Sequence, residues 1–364
     1  MGDTTVAITV GGQPLSASDL QLIRRVDVSE AMYAQTQVAV VVACDVDNTS
    51  NWSTPLDSLV APFAPFQVSL TRGTDSLVVP ARATSASWSL QAGKESTLTI
   101  AGLDASADLD QEEHDQSWGG ASDADIASAL LTPIATPQVG TTPAPDGTDS
   151  FTPHQRGTDW SFLTALALRN DFDVYLTSQD GTLVGVFDRI DPTAAAQTTL
   201  DLGYGSLGGS ADVQVQLVSG QRVRLTYGIP GQGDQQVAEN DGTGSAMGTQ
   251  SLGGATTVLR DANDLPGTQG PDVAARVLAE RSAFGAMLSV TLTAASMPLL
   301  HARRTVTVRG LGSLVSGLWL VKSVRHTVTD GGHTQAVTLT RNALGDSGSA
   351  GAAGAAASAL AGVL

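Results

Sequence analysis

The chain has 364 residues, a length that suits two or three domains, and a hydrophobic fraction of 41%, enough for ordinary packed cores. Its net charge of −17 repels nucleic-acid phosphates and anionic membranes, which argues against DNA recognition and against stable membrane insertion. The single cysteine, Cys44, excludes an intrachain disulfide, and no apolar run approaches the length of a bilayer span.

Aromatic residues make up only 4% of the chain, so Val, Leu, Ala and Thr must do most of the packing. With 39 glycines and 15 prolines punctuating short apolar segments, the composition reads as mainly β. The charge is uneven. Residues 1–270 carry 11 basic against 32 acidic side chains, and residues 271–364 carry 8 against 4. The opening Met1-Gly-Asp-Thr-Thr5 lacks the basic and apolar regions of a secretory signal, so synthesis and assembly in the cytoplasm are expected.

In chain order, residues 6–10 alternate and stop at Gly11-Gly12, a turn signal. Residues 19–29 and 36–44 follow as strands, the second a continuous β-branched run of the kind buried on both faces and ending in Cys44, read as a packed thiol. Strands are expected at 66–70, 83–90 and 96–101, the last two joined by a hairpin turn at 91–94. Six strands separated by turns point to a barrel or sandwich.

The pattern changes near Leu103. Residues 104–115 are acidic and read as a loop. Ser122-Asp-Ala-Asp125 then satisfies a capping box ahead of Ile126, Ala127, Leu130 and Leu131. After a Pro/Thr/Gly loop at 132–150, a second helix starts behind Thr158, with Trp160, Leu163, Leu166 and Ala167 on one face. Strands at 172–177 and 183–187, joined at 179–181, complete a small inserted α+β unit.

Strands resume at 211–217 and 222–227, joined through Ser219-Gly220. Residues 228–270 are polar and read as a long loop. Pro271 opens a helix at its favoured first position, with Val273, Val277, Leu278 and Phe284 as the apolar stripe. Strands follow at 287–293, 304–308 and 317–324, with a hairpin over 325–340 turning at Asp330-Gly-Gly332. Residues 345–364 read as a Gly/Ala-rich flexible tail.

The catalytic residue types do not converge. The chain has no Walker loop, no His-Glu-x-x-His and no Gly-x-Ser-x-Gly, and one cysteine cannot build a thiolate zinc site. Gly203-Tyr-Gly-Ser-Leu-Gly208 has dinucleotide-loop spacing but opens no helix. The acidic run from Asp108 to Asp115, with Asp108, Glu112 and Glu113, lacks EF-hand spacing and the apolar setting a glycosidase acid needs. His326 and His333 flank a turn and are read as exposed strand residues without a third ligand. No catalytic, cofactor-binding or metal residue is assigned, and no enzyme activity is expected.

The segment Gly157 to Leu176 resembles the phage late control protein D family and the related hub half of VgrG spikes. Asp159, Trp160, Phe162, Leu163, Leu166, Ala167, Arg169, Phe172, Val174 and Tyr175 match that family's run. Asp171 stands where glycine is usual. Residues 26–42 resemble the family's first hairpin. Gly317, Trp319, Val321, Val324 and His326 match its closing stretch.

The resemblance implies two tail-tube-like β-barrel domains with an inserted α+β domain, three chains closing a ring. The expected division is 1–103 with 198–230 as the first barrel and 104–197 as the insertion. Residues 231–344 form the second barrel, carrying the loop at 228–270, and 345–364 the tail. The implied role is a structural baseplate hub of a contractile phage tail or injection system. Its partners would be the inner tube protein, a separate spike and other baseplate proteins, in a virion-like particle. Contacts are expected at 104–118, 228–270 and the tail. The competing reading is a soluble carbohydrate-binding or adhesin-like β protein, which requires a patch of exposed aromatics.

Overall fold

The computed structural model describes residues 4–46, 52–90, 95–142, 152–202, 211–215, 221–228, 235–242, 246–252, 256–261, 271–293 and 297–345. The chain is mainly β, with few helices. It divides into two compact units. The first comprises Met1–Ile190, Leu292–His301 and Ser323–Ala336; the second comprises Asp191–Thr291, Ala302–Lys322 and Val337–Leu364.

The sheet of the first unit is antiparallel throughout. Its order runs from residues 332–336 and 323–329 through Ile23–Ala31, Gln37–Val46, Ser96–Asp104, Asp75–Ser89, Pro65–Arg72 and Thr5–Val10 to the short Gln13–Pro14. Alternation explains the core: Val26 and Val28, Val38, Val40 and Val42, Val68 and Leu70, and Leu98 and Ile100 all turn to one side and are buried. In Gln37–Val46 the intervening Ala39 and Val41 stay half-buried, so this run has one deeply buried face where two were expected. The turn at Gly11-Gly12 uses positive φ at both glycines, of 56° and 79°. The expected turn at 91–94 lies outside the described residues.

Two short elements depart from the strand pattern. Helix α1, Ala17–Leu20, occupies residues expected as the start of a strand. Ser16 and Asp19 form a reciprocal capping box there, and this local bonding outweighs strand propensity. Residues 104–110, expected as a loop, form a 3₁₀ helix over Ala105–Asp110 that buries Ala105, Ala107 and Leu109.

The α+β part of this unit holds α2, Asp123–Leu131, and α3, Asp159–Asn170. They pack near a three-stranded sheet ordered Thr136–Val139, Thr182–Asp188, Asp173–Gln179, the first pair parallel and the second antiparallel. Thr136–Val139 falls inside the stretch expected as a loop. A further pair, Glu113–Ser117 with His154–Thr158, leads into α3. Leu163, Leu166 and Ala167 of α3 meet Ile126, Leu130 and Leu131 of α2 in one core cluster.

The caps of both helices are as expected. Thr158 accepts from the Ser161 N–H, and Ser122 from the Asp125 N–H. Replacing Ser122 with Ala should cost about 1 kcal/mol, read by urea unfolding, because the freed donor loses its acceptor. Asp171 takes the left-handed conformation at the end of α3, φ 60°, one of the few side chains that tolerates the place glycine usually fills.

In the second unit, Ala211–Val215 pairs with Ala286–Thr293. Gln221–Gly228, expected as its hairpin partner, instead lies in a separate sheet between Gln235–Asn240 and Thr256–Asp261. The described residues between 198 and 230, expected with the first hundred residues, fall in the second unit; Thr199–Asp201, for example, runs parallel to Thr305–Arg309. The described parts of 228–270, expected as loop, supply two of these strands. Helix α4, Pro271–Ser282, packs on one face of the sheet, where Ala275 and Ala279 meet Val223, Leu225 and Ala238. Small alanines line this contact together with the expected Leu278, while the expected Val277 is buried but outside this cluster. Residues 346–364, the expected tail, lie outside the described residues.

Candidate functional site

The acidic stretch is pinned by partners. Asp104 is buried and accepts from the Thr36 N–H at 2.7 Å, the Ser106 N–H at 3.0 Å and the Ser106 hydroxyl. Burial pushes its carboxyl above the ordinary carboxylate range, and those hydrogen bonds only partly offset it. Asp108 pairs with Arg82 through two bonds of 2.8 and 2.6 Å, and Asp110 accepts from the Thr158 hydroxyl at 2.6 Å. Asp115 and His154 lie 2.9 Å apart. With Asp108 held by Arg82 and Glu112 facing solvent, Asp108, Glu112 and Glu113 do not converge on one point.

His326 and His333 overturn the expectation of exposed strand residues: their relative exposures are 0% and 6%. Their rings face each other, with His326 Nδ1 and His333 Nε2 3.2 Å apart. His326 Nε2 lies 3.0 Å from the Leu300 carbonyl, and His333 Nδ1 lies 2.8 Å from the Thr4 hydroxyl. Beside them His301 Nδ1 is 3.2 Å from a Glu30 carboxylate oxygen. Burial drives both facing imidazoles down to about 4; the charge of His301 adds to this at His326, against Glu30, and that of Arg72 adds at His333. Thr4, Glu30, Arg72 and His301 had no sequence signal, since up to 329 residues separate the bonded partners. Among the described residues, no three His, Cys, Asp or Glu side chains gather as a metal site.

Trp160 and Phe162 are half-buried against the α2–α3 core, where Leu166 is buried; Trp319 and Val321 are fully buried in the second unit. These residues build cores. Cys44 is buried and unbonded to sulfur. Gly203 to Gly208 lies outside the described residues.

The surfaces differ between the units. The first carries 9 basic against 25 acidic side chains, the second 10 against 11. The face of the second unit's three-stranded sheet away from α4 presents Arg222, Arg224, Val237, Glu239 and Leu259, with Leu259 72% exposed. The large exposed aromatics of the described chain are Tyr33, Phe63 and Trp88, each on a different loop or strand. No helix among the described residues is long and apolar enough to cross a membrane.

No family model and no curated protein matches the sequence. Solved structures do match, over nearly the whole chain. A tail protein from Neisseria meningitidis MC58 superposes with a TM-score of 0.62 at 15% identity, covering 94% of this chain and 97% of its own. The 43 kDa tail protein of prophage MuSo2 from Shewanella oneidensis gives 0.63 at 16%, covering 94% and 99%. The E. coli c3393 protein, a component of the type VI secretion system with structural similarity to the T4 tail proteins gp27 and gp5, gives 0.55 at 11%, covering 88% and 73%. The chain therefore has the fold of phage tail proteins and their secretion-system relatives.

Proposed function

We propose that this chain is the structural hub of a contractile phage tail or contractile injection system. Three copies close a ring that joins a six-fold inner tube to a three-fold spike. The observation that carries the reading is the end-to-end correspondence with two tail proteins, which covers 94% of this chain and nearly all of each of theirs. Two compact units per chain also support it, because three such chains present six units to a six-fold tube. In this reading the units are the two tube-like barrels, and the α+β part at 104–190 is an elaboration of the first.

The role is one of interfaces and not of catalysis, and the partners are the tube protein, the spike and other baseplate proteins. Within the polar segment 228–270 we assign the contact to the exposed sheet face with Val237, Glu239 and Leu259, which Arg222 and Arg224 adjoin, and the pinned run at 104–118 is a second. A glycan-binding role has less support, since Tyr33, Phe63 and Trp88 do not share one element. Co-expression with tube and spike proteins encoded beside it tests the reading. A co-purifying complex holding three hub chains per spike trimer is expected. Failure to retain either partner, with all three proteins soluble, would argue against it.

A further inference from the structure

The paired histidines of the first unit form a chain of hydrogen bonds whose direction is fixed at one end. The Leu300 carbonyl only accepts, so His326 Nε2, 3.0 Å away, carries a proton. A neutral His326 then has a bare Nδ1, which accepts from His333 Nε2 across 3.2 Å. His333 Nδ1 is left bare in turn and accepts from the Thr4 hydroxyl at 2.8 Å. Every ring nitrogen is satisfied with both imidazoles neutral. A proton added to the pair sets N–H against N–H at the centre of the chain, or reverses His333 so that Thr4 must accept, and in either case it charges rings that are buried.

The chain ties together segments distant in sequence. Thr4 precedes the first strand, His326 and His333 lie on the hairpin at 323–336, and Leu300 belongs to the crossing segment at 297–301. Gln335, fully buried on the same hairpin, reinforces the last contact by accepting from the Leu300 N–H and donating to the Pro298 carbonyl, both at 2.9 Å. Leu299 between them is buried in the core cluster. The charged groups facing the pair are Glu30 on Ile23–Ala31, His301 beside Leu300, and Arg72 at the end of Pro65–Arg72. Arg72 Nη1 is buried without an acceptor among the described residues, so its charge opposes protonation of His333 at close quarters.

The geometry points to an acid-released latch: Thr4, His333, His326 and Leu300 hold the first strand, the hairpin and the crossing segment together near neutral pH and let go on acidification. This inference is independent of the assembly proposed above. Its sign follows from linkage. The unfolded histidine titrates near 6.5 and the folded His326 near 4, so between those values the opened state binds the additional proton. The stabilisation is complete above 6.5 and is lost as the pH falls toward 4. From pH 7 to 5 the opening equilibrium should rise about 20-fold through His326 alone.

With five histidines in the chain, imidazole nitrogen NMR on the intact protein between pH 8 and 4 tests the latch directly. We expect His326 and His333 as Nε2–H tautomers with midpoints near 4, the values their burial sets. An Nδ1–H tautomer at either, or a His326 midpoint near 6.5, would overturn the inference. Amide exchange at 297–301 and 323–336, corrected for the intrinsic rate, should rise at least about 20-fold from pH 7 to 5, the share of His326, with His333 adding to it. The pair His326→Gln with His333→Gln keeps a donor and an acceptor at each place without a titrating group, and should flatten that rise. An equal rise in that variant would place the acid sensitivity elsewhere and sink the latch; if the variant does not fold, the tautomers and midpoints of the native protein decide.

Discussion

Replacing Arg341 with Leu is expected to lower the thermal unfolding midpoint of the second unit by about 8–15 °C, one of the largest single-site effects in the chain. Arg341 is fully buried. It donates to four backbone carbonyls: Val315 and Ser316 at 3.2 Å each, Met247 at 3.0 Å and Gly345 at 2.8 Å. It also lies 5.2 Å from the ring of Trp319, itself buried and donating to the Val315 carbonyl at 2.8 Å. A leucine fills part of the volume but takes this donor from the buried Met247 and Gly345 carbonyls and the half-buried Ser316 carbonyl, while Val315 keeps Trp319, at about 1–3 kcal/mol for each that water cannot reach. Lysine keeps the charge but lacks the planar fork, so Arg341→Lys should fall between native and Arg341→Leu. Scanning calorimetry reads the result. A shift of under about 2 °C for Arg341→Leu would mean that water or backbone movement already serves those carbonyls.

The second large effect is expected at Asp123, in the first unit. This carboxylate is 2% exposed and sits in the first turn of α2. Arg169 of α3 donates to it through Nε at 2.6 Å and through Nη2, and Asn170 donates at 2.5 Å. The pair thus stitches α2 to α3 at the point where both helices meet the core of the α+β part. Truncating Asp123 to Ala removes this carboxylate from the buried Arg169, a loss that typically costs about 3–5 kcal/mol. Converting both ends to apolar residues, Asp123→Leu with Arg169→Met, removes the stranded charge and should recover most of that loss. A double-mutant cycle by urea unfolding separates the outcomes. Equal losses for the single and double variants would show that the ion pair itself, and not the orphaned charge, sets the cost.

Much of the fold was legible from alternation and caps. The run ending in Cys44 announces a strand, though with two buried faces where Val38, Val40 and Val42 mark one, and Ser122 and Thr158 mark helix starts that the structure reproduces. Other elements had weaker signals. In Gln235–Asn240 only Ala238 is buried on the helix side among the side chains described, so its alternation carries almost no hydrophobic contrast. The run at 104–115 was hidden by its charge, since its carboxylates are neutralised by Arg82 and by hydroxyl and amide donors brought in from elsewhere. The wrong partner for 221–228 came from favouring the nearest strand in sequence, whereas its neighbours are Gln235–Asn240 and the parallel Thr256–Asp261. The histidine cluster was not legible, because His326 meets Leu300 and His333 meets Thr4, both arriving from distant parts of the chain.

The central claim is a three-chain ring, and the mass and shape of the purified protein test it most directly. Light scattering with negative-stain class averages should be run on the chain alone and together with its spike protein. The account predicts a particle of three 37.1 kDa chains with a central channel and a six-lobed outline, in the presence of the spike if not before. A monomer under both conditions would contradict it.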